Sequence, residues 1–194
     1  MAPKTSKQFA EIRQKSQEKI EAAALELFAE QGFHSTSITA IAKAAGISKG
    51  LLYNYYDSKE ALLHQIIDRS MGDGEELMDA FLNADIPPFQ KVAGVIEGAI
   101  QMIINDPHHW KLMTSIALQG DIMESICQKV EQKKEETIAL AAAIFEQMGF
   151  EEPHKEALFL GAALDGLMIH YISLGPDYPI EDMKDYLLKR YKQL

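Results

Sequence analysis

Two short apolar stripes separated by a glycine constrain this chain more than any other feature. Residues 37–63 read SITAIAKAAGISKGLLYNYYDSKEALL. Ile38, Ile41, Ala42 and Ala45 recur at helical spacing. Ser37 is placed to cap that helix and Gly46 to end it. Ser48 is a second N-cap residue, opening a helix predicted over residues 49–56. Helices of about two turns do not stand alone in water, so each must lean on a neighbour. Small Ala44 and Ala45 beside Gly46 permit close approach, and the pattern predicts a helix-turn-helix.

The neighbours are legible on both sides. Ile20, Ala23, Ala24, Leu27 and Phe28 form an apolar face from about residue 16, closed at Gly32, after a polar tail over residues 1–15. Asp57 or Ser58 caps a fourth helix with Leu62, Leu63, Ile66 and Ile67 on one side; Asp57 and Glu60 have capping-box spacing. That helix breaks near residues 71–74 or continues unevenly to residue 81. Further helices are predicted over 89–105, 107–119, 122–148, 153–174 and 180–191. The fold class is all-α, with about nine helices. Two domains are expected, a helix-turn-helix domain over 1–57 and a second helical domain over 58–194.

On the second short helix, Ile47, Leu52 and Tyr56 can face the core, Leu52 and Tyr56 one turn apart. Lys49, Gly50, Tyr53 and Asn54 are left outward, with Tyr55 at the edge. An asparagine can hydrogen-bond an adenine edge in the major groove. Tyrosine, serine and lysine side chains and free helix N-terminal amides can hold phosphates. Ser37, Thr39 and Ser48 offer hydroxyls, and Lys59 is within reach of a neighbouring phosphate. Short capped helix pairs also occur in folds that never touch DNA, and tyrosines often lie half-buried with only the hydroxyl wet.

The charge distribution favours one end of the chain for a polyanion. Net charge is −10. Residues 1–70 carry nine Lys/Arg against eight Asp/Glu, whereas residues 71–194 carry ten against twenty-one. Duplex DNA would meet the first part and be repelled by the rest.

From about Ile20 to Ile67 the sequence resembles the TetR family of bacterial transcriptional repressors. The residues that carry the likeness are ALELFAEQGFHSTSITAIAKAAGISKGLLYNYYDSKEALL. The resemblance implies an all-helical, two-domain homodimer with three N-terminal helices on DNA. It implies DNA contacts by Ser37, Thr39, Lys49, Gly50, Leu51, Tyr53, Asn54, Tyr55 and Lys59. Tyr53 and Lys59 stand at the most typical phosphate positions. Leu51 replaces a small residue; it touches a thymine methyl or packs inward. Tyr56 stands where phenylalanine is usual and is expected in the core.

The C-terminal two-thirds is read for a dimer interface and an effector. Gly161, Ala162, Ala163 and Gly166 form a small-residue surface on the helix 153–174. Each interior glycine costs about 1 kcal/mol against alanine, so close packing would give them a use, against either a second subunit or a helix of the same chain. Met102, Trp110, Met113, Met123, Phe145, Met168 and Tyr171 are soft or aromatic groups suited to an apolar effector pocket. Each is also an ordinary core residue type. His108, His109, Asp165 and His170 are the polar candidates for orienting a ligand, or else a helix-end pair and an interior pair.

Other chemistries lack a signature. No helical i, i+4 histidine pair, phosphate loop or nucleophile elbow is present, so no metal, cofactor or enzyme activity is expected. Cys127 has no partner for an internal disulfide, and the N-terminus has no apolar signal stretch; a cytoplasmic protein is expected. Residues 157–174 are the most membrane-like, but hold Asp165 and His170; a helix buried within protein is expected there, and no membrane partner. The functional expectation is a dimeric, ligand-responsive regulator, a repressor on a palindromic operator released by a small, largely apolar molecule. The alternative is a helical interaction or ligand-carrier module whose helix-turn-helix is only structural.

Overall fold

A computed structural model describes residues 6–192, with side chains described at all of these except 6, 7, 9, 73, 75, 77–79 and 120–131. Among the described residues there are nine α-helices, one 3-10 turn and no strand. In chain order they are α1 (Ser6–Gln31), α2 (Ile38–Ala44), α3 (Lys49–Tyr53), α4 (Lys59–Leu82), α5 (Pro88–Asn105), α6 (Pro107–Ala117), α7 (Gly120–Gln147), α8 (Pro153–Leu174) and α9 (Ile180–Lys192), with the 3-10 turn Gly175–Asp177 before α9.

Packing divides the chain into two units. The first is Met1–Ser70 with Leu112–Met123; the second is Met71–Lys111 with Glu124–Leu194. The expected boundary at residue 57 therefore falls inside the first unit. The reason lies in α4, whose first turns bury Leu62, Leu63, Ile66 and Ile67.

In the first unit, Ile20, Ala24, Phe28, Ile41, Leu52 and Leu62 are buried. α1 starts ten residues before the expected onset, because its polar first turns form helix without an apolar stripe to announce them. The turn between α2 and α3 closes with paired backbone bonds: Ile47 N donates to Ala42 O at 3.0 Å and Gly46 N to Lys43 O at 3.2 Å. This Schellman arrangement needs a left-handed residue at position 46, and Gly46 has φ 69°. α3 ends at Tyr53, shorter than expected; Asn54 N and Tyr55 N bond back three residues to Leu51 O and Leu52 O, tightening the last turn.

In the second unit, α5 packs against α9 and α8. Val95, Ile96, Ile100, Ile144, Phe145 and Tyr191 lie in one buried cluster. Phe145, Phe150 and Tyr191 meet ring to ring, with centroids 5.1, 5.2 and 6.0 Å apart. α4 continues through Gly72 and Gly74 to Leu82 without the break that those glycines suggested. Gly94 on α5 gives the Phe81 ring its seat: a Cβ there would lie 2.2 Å from the ring.

α8 departs from expectation in burial. It is the one segment among the described residues long and apolar enough to cross a membrane, yet only 17% of its apolar window is buried inside the chain. Leu158, Phe159, Ile169 and Leu174 are exposed. The helix is apolar on more faces than the described residues of its own chain cover.

Candidate nucleic-acid interface

Each short helix is started by the serine that the sequence offered. Ser37 Oγ accepts from Ala40 N and Ser48 Oγ accepts from Leu51 N, each at 3.1 Å. Those bonds satisfy amides that the first helical turn leaves unpaired. Both hydroxyls remain on the surface with Thr39.

α3 is sharply two-sided. Leu52 is fully buried, while Ser48, Lys49, Gly50, Leu51, Tyr53 and Asn54 are exposed. Leu51 points outward and does not pack into the core. Lys49 Nζ lies 5.9 Å from the Tyr53 ring centroid. Tyr55 is half-buried under the Arg13 guanidinium, 5.1 Å from its ring centroid. The arrangement presents a cation, an amide, a phenol and a leucyl group from one short helix and its C-cap, exposed among the described residues.

Tyr56 turns inward, as expected. Its hydroxyl donates to Glu21 Oε1 at 2.6 Å, and Glu21 Oε2 accepts from Arg69 at 2.7 Å. Burial, then the Glu21 carboxylate, pushes the Tyr56 phenol well above its ordinary value of 10.0. This polar contact pins α1 to the end of α3.

Lys59 is differently placed from a free phosphate-seeking cation. Its Nζ donates to Phe33 O at 2.6 Å, Thr36 O at 2.9 Å and His34 O at 3.2 Å, and lies 4.4 Å from the Phe33 ring centroid. All three ammonium protons are directed at the turn between α1 and α2. Ser58 caps α4, accepting from Ala61 N at 3.0 Å. The Glu60 carboxylate is lowered by its own backbone amide and then by Ser58.

Sequence reasoning missed a second brace on the same turn. Gln119 Nε2 donates to Phe28 O at 3.1 Å and its Oε1 accepts from Phe33 N at 3.3 Å. Ser115 Oγ donates to Ala29 O at 3.2 Å. No local signal marks Gln119 as a brace, because Phe28 and Phe33 lie more than eighty residues away in sequence.

The effector candidates scatter. Phe145 is fully enclosed by Phe150 and Tyr191, a core residue and not a pocket wall. Asp165 and His170 are exposed and form no interior pair; His170 stacks on Tyr178 at 5.3 Å. Met102, Trp110, Met168 and Tyr171 are half-buried in the second unit. Half-buried Met113 belongs to the first unit, its sulfur 3.7 Å from the Ser70 hydroxyl. His108 is exposed and His109 meets the Trp110 ring edge-on at 5.6 Å. The Met123 side chain lies outside the described residues. The second unit does carry an open groove of about 830 Å³, lined by Phe150, Glu152, Glu156, Tyr186, Lys189 and Arg190. None of these was expected from the sequence. Among the described residues no acidic, histidine or cysteine cluster could hold a metal.

A three-helix unit with a capped turn and an uncovered polar third helix defines a helix-turn-helix protein. Residues 20–66 match the family described as bacterial regulatory proteins, tetR family. Over that stretch the chain carries a helix-turn-helix of the TetR type. It is 30% identical over 110 residues to the fatty acid metabolism regulator protein of Bacillus subtilis, covering 57% of this chain and 56% of that one. It is 56% identical over 45 residues to the regulator UidR of Escherichia coli, covering 23% of each. The matched stretch thus spans about half the length of the first relative and less of the second. The fold is shared much more widely. A putative transcriptional regulator from Pseudomonas aeruginosa superposes with a TM-score of 0.77 at 19% identity, covering 93% of this chain and 90% of that one. FadR from Bacillus subtilis in complex with stearoyl-CoA superposes at 0.72 and 19%, covering 89% and 96%.

Proposed function

We propose that this chain is a cytoplasmic transcriptional regulator that binds a palindromic DNA operator as a homodimer and is released by a small, largely apolar effector. The observation that carries the reading is the two-sidedness of α3: Leu52 buried, with Lys49, Gly50, Leu51, Tyr53 and Asn54 exposed. In this reading Asn54 reads a base edge, Leu51 meets a thymine methyl, and Lys49, Tyr53 and the Ser37, Thr39 and Ser48 hydroxyls hold phosphates. Tyr55 and Lys59 act by position: one supports Arg13, the other ties the start of α4 to the α1–α2 turn. Binding, not catalysis, is the activity.

One recognition helix reads only a few base pairs, so a symmetric pair is required. The partner surface is the outer face of α8. Gly161 and Ala162 are exposed there, and a Cβ added at Gly161 or Gly166 would meet nothing within 4 Å of its own chain. Leu158, Ala162 and Ile169 share that face at helical spacing. A second copy covering it accounts for an apolar helix that its own subunit leaves bare.

The effector class with most support is a long acyl thioester. The Bacillus subtilis relative is a fatty acid metabolism regulator, and the likeness to it runs well beyond residues 20–66. Met102, Met168, Tyr171 and Trp110, half-buried in the second unit, are the adaptable apolar residue types that such a ligand requires. Release then requires that the ligand favour the shape that does not fit DNA. α6 is the natural carrier, since Ser115 and Gln119, on it and just beyond it, hold the end of α1.

The test is a titration of a fluorescent duplex selected by the protein from a random pool. Lys49→Ala with Tyr53→Phe should weaken every duplex alike, and stearoyl-CoA should release the wild-type complex. Unchanged binding by that double variant would remove α3 from the interface.

A further inference from the structure

We propose that the first half of α1 makes a second, sequence-independent contact with the DNA backbone, and that Arg13 is its phosphate-binding residue. This rests on the DNA-binding reading above and extends it beyond the helix-turn-helix.

The argument starts from charge. Residues 20–70 hold four Lys/Arg and six Asp/Glu, so the helix-turn-helix region is itself acidic. Two of its four cations already have anionic or carbonyl partners: Lys59 is held by three carbonyls, and Arg69 by Glu21. Lys43 and Lys49 are the other two, both exposed. Affinity for a duplex comes largely from phosphate neutralisation and counterion release, and two lysines against six carboxylates supply little of it. Residues 1–19 hold five Lys/Arg and two Asp/Glu. The positive charge of this end of the chain therefore sits ahead of its core, four of the five cations on α1.

The geometry then selects Arg13. Ile20, Ala24 and Phe28 form the buried stripe of α1 at four-residue spacing. One i−3 step back from Ile20 and one i−4 step further lie Gln17 and Arg13, so the face turned toward the core becomes polar beyond it. Arg13 meets α3 there: its guanidinium lies over the Tyr55 ring, one residue from Asn54. A guanidinium that stacks through its face keeps its edge N–H groups for a bidentate oxyanion. Arg13 is exposed and has no carboxylate partner among the described residues. The side chain is held beside the recognition helix with its donors unused. Residues 10–15 are exposed, so folding of the core does not explain a helix there.

The experiment uses the full-length chain and a random-sequence duplex of about three helical turns, titrated over a series of salt concentrations. Arg13→Gln should lower the slope of log K against log salt by about 0.9, the release expected for one phosphate contact. Affinity near 0.1 M salt should fall roughly fivefold, since that contact weakens all sequences alike. Arg13→Lys should keep the slope. Lys189→Gln, which removes the same charge from exposed α9, should leave both quantities unchanged. Ethylation of the outermost phosphates should interfere with wild-type binding and not with Arg13→Gln. A wild-type slope for Arg13→Gln, or a loss no greater than that of Lys189→Gln, would overturn the proposal while leaving α3 on DNA. Absence of duplex binding by the wild type would overturn both.

Discussion

The side-chain amide of Gln119 donates to the main-chain carbonyl of Phe28, 91 residues earlier, at 3.1 Å. Its oxygen accepts from Phe33 N across the Gly32 turn. A segment beyond α6 thereby braces the C-terminus of α1, adding a second donor to a carbonyl that already accepts from Gly32 N. Gln119→Ala should destabilise the N-terminal unit by about 1–2 kcal/mol, two hydrogen bonds being lost and the Phe33 amide left without its partner. Urea unfolding followed by helical signal checks this. An unchanged midpoint would mean that the contact carries no free energy.

Tyr56 gives the first unit an alkaline limit. Its phenol is raised by burial and by Glu21, so folding favours the neutral form. That stability is complete below about pH 10, the ordinary tyrosine range, and is lost as pH rises beyond it. Tyr56→Phe should cost about 1.5–3 kcal/mol at pH 7, the range for a bond to a charged group. The variant should lose less than the wild type between pH 9 and 11. Parallel losses would place the alkaline transition elsewhere.

Phe81 and Gly94 are matched in size. A methyl group at position 94 would fall 2.2 Å from the Phe81 ring, inside any tolerable contact. Gly94→Ala should destabilise the second unit by about 2–3 kcal/mol through overpacking. With Phe81→Ala in the same chain the two losses should sum to less than their separate values, the sign of a direct contact. Additive losses would contradict the packing described.

Ile169 is half exposed on the bare face of α8. A carboxylate there should cost little in a single subunit and much in a dimer core. Ile169→Asp should sediment as a monomer at concentrations where the wild type is a dimer, with its helical content kept. A dimeric Ile169→Asp would move the interface off this face.

The fold and half of the candidate site were legible because their signals are local. Ser37, Ser48 and Gly46 act within a few residues of themselves, and Leu52 and Tyr56 face inward by simple helical spacing. The onset of α1 was not legible, since a polar helix carries no stripe. Neither were the roles of Lys59 and Gln119, whose partners lie 23 to 91 residues away in sequence. The apolar residues of the C-terminal unit gave the weakest reading. Phe145 and Met102 are both large apolar residues in sequence, yet one is sealed in an aromatic cluster and the other is half-buried. Only packing separates core from candidate pocket.

The most direct measurement is the stoichiometry and preference of DNA binding by the wild type and Asn54→Ala. A duplex enriched from a random pool is titrated beside a scrambled duplex of equal length. Two chains should bind each enriched duplex, with at least about a tenfold preference over the scrambled one, within the range for specific sites. Asn54→Ala should lose discrimination at one base pair in each half-site and keep its salt dependence. Equal affinity of the wild type for enriched and scrambled duplexes, or an Asn54→Ala variant that discriminates as well as the wild type, would contradict the assignment of α3 as the reading element.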